Sequence, residues 1–123
     1  EKGAICLGAF IGEQLIGYVW GQFKPTQYPF FDFRLDFGLD AYVGPDYVIA
    51  LYRGNQIHGA LLGKMFTYLH SQGYQSAWTG VWRSNRNSIK GLMEVGYQPK
   101  FQVKVIRIFN LIVYKKVSTR TTW

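Results

Sequence analysis

The sequence is poor in cysteine: Cys6 is the only one, which excludes an internal disulfide and a multi-cysteine zinc site. Acidic residues are scarce as well, with seven Asp and Glu against 14 Lys and Arg, and the net charge of +7 suggests an anionic partner such as a phosphorylated cofactor, a nucleic acid or a membrane surface. No apolar run approaches the roughly 20 residues of a membrane-spanning helix, and the start Glu1-Lys2-Gly3 lacks the layout of a secretory signal. A cytoplasmic setting without membrane contact is therefore expected. The basic residues do not alternate with an aromatic platform, so no nucleic-acid partner is expected either. Internal repeats, low-complexity segments, a Ser/His/Asp set, metal-ligand spacing and paired carboxylates are all missing.

What the chain does have is core material. Of its 123 residues 48% are hydrophobic and 18% aromatic, enough for one packed domain spanning the whole chain. Ala4 to Phe10 and Gln14 to Phe23 read as a β-hairpin around Ile11-Gly12-Glu13. Lys24 to Asp40 carries two prolines and clumped aromatics (Tyr28, Phe30, Phe31, Phe33, Phe37), which either cover a pocket or fill the core. A β-rich run from Tyr42 to Leu51 is interrupted by Gly44-Pro45. Ile57, Ala60, Leu61, Met65, Tyr68 and Leu69 then recur at helical spacing, with Gly73 as the stop, and predict a helix over Gly54–Gln72. A short β-like stretch, Ser76 to Val81, precedes a second helix, Ser88–Val95, capped by the Asn85-Arg86-Asn87-Ser88 segment and ended by Gly96. Phe101 to Val117 reads as two strands turning at Asn110. The fold expected is α+β: a twisted, mostly antiparallel mixed sheet with helices packed on it, parallel only where the strands before the two helices meet.

Chemistry concentrates between Tyr47 and Leu62, where strand, loop and helix meet. Amides at the start of a helix have no intrahelical acceptor and sit at the positive end of its dipole, so they can hold a diphosphate. Gly54 lets an anion approach the chain, and Arg53 adds a charged donor.

This segment resembles the cofactor loop of the GCN5-related N-acetyltransferases, written (R/Q)xxGx(G/A) or RGxGxG. Arg53 and Gly54 match its start, Ile57 its apolar position, and Gln56 and His58 stand where the later glycines belong, with Gly59 one place beyond. The downstream landmarks of the family, a strand ending in Val, then Nxx(A/S) opening a helix that ends in GF or GY, are similar to Val81, Asn85, Ser88, Gly96 and Tyr97. The resemblance covers about Ala4 to Tyr114 and implies an acyl-CoA N-acyltransferase-like fold lacking its first strand and helices, so that the domain is N-terminally incomplete and either a preceding segment or a second copy completes it.

The activity implied is acetyl transfer from acetyl-CoA, as cosubstrate, to a primary amine on a small molecule or a protein, by direct attack. The implied cofactor-binding residues are Val48, Ile49, Ala50, Arg53, Gly54, Asn55, Gln56, Ile57, His58, Gly59, Asn85 and Ser88. Asp40 and Asp46 are the carboxylates nearest the strand that carries a general base in many members, and no metal is implied. The tyrosine that protonates the leaving thiolate falls seven residues after the Asn, where this chain has Leu92. The alternative is a catalytically degenerate module of the same fold that binds an acyl-CoA or another protein.

Overall fold

A computed structural model describes residues 3–23, 26–28, 33–35 and 40–118. Phe30, Phe31 and Phe37 of the aromatic segment lie outside them, so the two readings of that segment stay as they were. The chain order begins with β1 (Ala4–Ile11), β2 (Gln14–Gln22), β3 (Thr26–Tyr28), β4 (Phe33–Leu35) and β5 (Ala41–Val48). Then come α1 (Ile57–Ser71), β6 (Ala77–Trp78), α2 (Arg86–Glu94), β7 (Phe101–Ile108) and β8 (Leu111–Ser118).

Four strands form one sheet in the order β1-β2-β5-β6, antiparallel except for the β5/β6 pair. The hairpin of β1 and β2 turns at Gly12-Glu13, as the sequence suggests. β3 pairs with β4, and β7 with β8, each as a separate two-stranded ladder. β6 is two residues long, too short to offer β7 a ladder. The stretch expected to be β-like over Ser76 to Val81 accordingly shrinks to Ala77–Trp78.

α1 forms because Leu61, Leu62, Met65 and Leu69 fall on one face, and that face is buried against Val19 of β2 and Ala41, Val43 and Val48 of β5. Leu62 and Met65 are 1% and 0% exposed, so each adds about 1.5–3 kcal/mol of apolar burial. Both helices end alike. Gly73 and Gly96 adopt φ of 88° and 103°, and the residues after them, Tyr74 and Tyr97, donate their N–H to Leu69 and Leu92. This is the Schellman arrangement, in which a left-handed glycine lets the chain close over the last carbonyls. It also places the Tyr97 ring edge-on to Phe66 of α1, with centroids 5.5 Å apart.

The helix starts differ from expectation. α1 begins at Ile57, because Gly54 (φ 80°) and Gln56 (φ 62°) hold left-handed backbone that cannot be helical. α2 begins at Arg86 because Asn85 accepts a hydrogen bond from the Ser88 amide at 3.1 Å, which makes Asn85 the cap and draws Arg86 and Asn87 into the first turn.

Candidate functional site

β5 and β6 pair only at Ala41↔Ala77 and Tyr42↔Trp78. β5 continues to Val48 along β2, while β6 ends at Trp78. Between Tyr42 and Val48, six residues or roughly 20 Å of extended chain, the far edge of β5 has no partner strand among the described residues. Which groups face that edge follows from one bond. The Ile49 N–H donates to Ile16 of β2 at 2.9 Å, so the alternation of an antiparallel ladder turns the backbone of Val48 and Asp46 to the open side. The Val48 carbonyl there accepts from Arg53 Nε at 2.8 Å.

After Val48 the chain makes a 3-10 turn over Ala50–Tyr52 and passes through Gly54 and Gln56 into α1. The splayed strand expected over Val48 to Ala50 is therefore shorter: Ile49 gives its amide to β2, Ala50 opens the turn, and Val48 alone keeps its backbone on the open edge. Intrahelical bonding starts with Ala60 N–H to Gln56 at 3.0 Å, leaving the amides of Ile57, His58 and Gly59 without an acceptor in the helix. No side chain caps α1 and no acidic residue occupies its first turn. The Asn55 carboxamide turns back to donate to the Tyr52 carbonyl at 3.2 Å. Open amides, the positive end of a fifteen-residue helix and free space on the Cα of Gly54 make a donor set that fits a phosphate group. Beside it the Arg53 guanidinium lies 5.3 Å above the Tyr47 ring, a cation–π contact that holds it near the loop.

The two carboxylates expected as base candidates are not brought together. Asp40 stands just before β5 and accepts a hydrogen bond from the Trp78 indole at 3.1 Å, where β5 and β6 are still paired. Asp46 stands on the open stretch and bonds His58 Nε2 of α1. That bond, ahead of the carboxylate charge and against partial burial, raises the His58 pKa above the ordinary value. Asn85 and Ser88 meet in the α2 cap. Leu92 lies in the core, 9% exposed, so a side chain there faces protein. The Tyr97 hydroxyl is buried with no hydrogen-bond partner, and burial, with the Asp46 charge second, pushes its pKa up.

Sequence reasoning missed the Asp46–His58 pair and the seat of Arg53 on Tyr47. Neither carries a signal in the chain, since each depends on how β5 meets α1. A cavity of about 340 Å³ at the far end of α1, lined by Leu69, Tyr74, Ala77 and Tyr97 among others, includes none of the loop residues. Among the described residues there is no cluster of three metal-ligating side chains and no helix long and apolar enough to cross a membrane.

Solved structures of similar shape include several acetyltransferases. An aminoglycoside N-acetyltransferase AAC(6')-Iy in complex with CoA superposes with a TM-score of 0.71 at 13% identity, over 88% of this chain and 78% of that one. The chain has the fold of the GCN5-related N-acetyltransferases. A ribosomal-protein-alanine N-acetyltransferase from Brucella melitensis (TM-score 0.62, 21% identity, 86% of this chain and 72% of that one) has this fold too. So does the GNAT domain of S. lividans PAT (TM-score 0.61, 20% identity, 94% and 61%). No family model and no curated protein matches the sequence. The GNAT likeness thus lies in backbone shape, and the side chains that fill the site are this chain's own.

Proposed function

We propose that this chain is an acyltransferase that binds acetyl-CoA and transfers the acetyl group to a primary amine of a small molecule or a protein. One observation carries the reading: the open edge of β5 leads directly to the unclaimed amides of α1. A diphosphate suits the amides from Gly54 to Gly59 together with Arg53, and an extended arm bearing amide groups suits the edge of β5, which it joins as an added strand. The family resemblance assigns Asn85 and Ser88, which meet in the cap of α2, to the groove that holds this arm. Support also comes from the fold, since its CoA-bound representative has the same shape.

When bound, the coenzyme supplies a thioester whose carbonyl carbon is open to attack. The chain orients that carbonyl by the backbone edge between Tyr42 and Val48, where a strand N–H is aimed at the oxygen as charge develops. The acceptor nitrogen bonds to the carbonyl carbon, the carbon–sulfur bond breaks, and the sulfur leaves as thiolate. One proton of the acceptor ammonium goes to a carboxylate before attack, directly or through water, and a second passes from the nitrogen to the departing thiolate, which is released as free thiol. Asp40 and Asp46 take different ends in this reading. Asp46 lies against the start of α1, at the diphosphate end, whereas Asp40 lies six residues back, at the end where a thioester arrives, so proton acceptance falls to Asp40.

Release of free thiol from acetyl-CoA in the presence of a panel of amines tests the proposal, with calorimetric CoA binding measured alongside. Thiol release above the hydrolytic background for at least one amine is the expected result. The second reading, a module that binds acyl-CoA or a partner without catalysis, is favoured by Leu92, which puts a core side chain where the resemblance places a thiolate-protonating tyrosine. CoA binding with no turnover across the panel would select it.

A further inference from the structure

His58 sits in the first turn of α1, where the loops it resembles carry glycine or alanine, and its imidazole is engaged outside the helix. It reaches 12 residues back to Asp46 on the open stretch of β5. The two side chains are 38% and 35% exposed, so both remain in contact with whatever occupies the space beside them. The neighbouring segments differ in the charge they carry. The loop contributes Arg53, engaged with the Val48 carbonyl and the Tyr47 ring; the segment after α2 contributes Tyr97, kept protonated by burial and by Asp46; the first turn of α1 contributes no acid. Asp46 therefore brings a carboxylate within one imidazole of amides that attract anions. With His58 neutral the pair carries one negative charge, and with His58 protonated it carries none.

We propose that the Asp46–His58 pair governs admission of the diphosphate to the start of α1, favouring it when the imidazole is protonated and opposing it when Asp46 is left uncompensated. The inference rests on the acyl-CoA reading and adds a selectivity residue to that site. Its sign follows from linkage: a group that binds its proton more tightly when the anion is present makes the anion bind more tightly when the proton is present. Affinity is highest at low pH and falls as pH rises through the His58 pKa. Because the bond to Asp46 raises that pKa, the imidazolium persists above the pH at which a free histidine loses its proton.

The test is calorimetric binding of 3′-dephospho-CoA at about pH 6 and about pH 8.5, a probe without the phosphomonoester that itself titrates near pH 6. Wild type, His58→Gln and Asp46→Asn are compared, with circular dichroism confirming that each is folded. For a pair this exposed, Kd of the wild type should tighten about three- to fivefold on going to the lower pH. His58→Gln should show no such change, and Asp46→Asn should bind about three- to fivefold tighter than wild type at the higher pH. An equal pH dependence in wild type and His58→Gln, or weaker binding by Asp46→Asn, overturns the inference and leaves the acyl-CoA reading standing. Absence of binding by the wild type at both pH values overturns the acyl-CoA reading itself.

Discussion

Replacing Arg53 by alanine separates its two attachments from its proposed contact with the diphosphate. Within the protein the side chain donates Nε to the Val48 carbonyl at 2.8 Å and lies over Tyr47 at 5.3 Å. A charged donor on a backbone carbonyl near the surface is worth about 1 kcal/mol, and an exposed cation–π contact about 0.5 kcal/mol. Arg53→Ala should therefore lose about 1–1.5 kcal/mol of stability, or about 4–6 °C of Tm for a domain of this size. Its effect on CoA should be larger, because the remaining guanidinium N–H groups are free to make charge-assisted bonds worth about 1.5–3 kcal/mol, a weakening of about 10- to 100-fold. Arg53→Lys keeps the charge but has no Nε donor to hold it on Val48, so it should melt like the alanine variant while binding CoA at an intermediate level. Thermal melts and CoA calorimetry on the three proteins give both readouts. If Arg53→Ala loses stability but binds CoA within about twofold of wild type, Arg53 only ties down the end of β5 and the loop is not the diphosphate site.

Three further outcomes follow from particular backbone and side-chain positions. Gly54→Ala meets no neighbouring atom but must hold φ at 80°, so it should cost about 1–2 kcal/mol in a thermal melt and weaken CoA binding through loss of the loop conformation. Asn85→Ala removes the bond to the Ser88 amide and should destabilise by about 1 kcal/mol, with faster hydrogen exchange confined to the first turn of α2. Tyr97→Phe deletes a buried hydroxyl that has no partner and should be neutral or stabilising by about 1 kcal/mol with turnover unchanged; a fall in kcat with CoA binding intact would instead assign that hydroxyl to thiolate protonation.

The parts of the fold legible in the sequence are those set by local rules. The stripe Leu61, Leu62, Met65 and Leu69 announces α1, Gly73 and Gly96 announce the helix ends, and apolar runs rich in branched and aromatic residues announce the β1/β2 and β7/β8 hairpins. Boundaries were less legible because capping competes residue by residue. Asn85, Arg86, Asn87 and Ser88 all look like entry residues, and the Asn85–Ser88 bond decides among them. In the site, the sequence brings Arg53, Gly54 and the helix start together because they are neighbours in the chain. It does not disclose that Ile49 surrenders its amide to Ile16, which removes one expected contact, or that His58 finds Asp46. Those depend on the register of β2 against β5 and on how closely α1 lies over the sheet, both products of packing.

The open edge of β5 makes its own demand. A strand edge inside a domain leaves donors and acceptors that must find water, protein or ligand, and an uncovered edge invites pairing with another chain. Here the protein satisfies only part of it: the Val48 carbonyl accepts from Arg53, while the Asp46 and Val48 amides are turned to the gap by the alternation that the Ile49–Ile16 bond sets. A partner that fills the gap must therefore accept hydrogen bonds at a two-residue spacing along an extended backbone. A second β-strand meets that need, but it would bring its own neutral chain against the start of α1, where nothing would answer the positive end of the helix. An extended arm of amides ending in a diphosphate answers both at once, the strand edge along its length and the helix at its terminus. That joint fit ties the acyl-CoA reading to this site more tightly than either feature does alone.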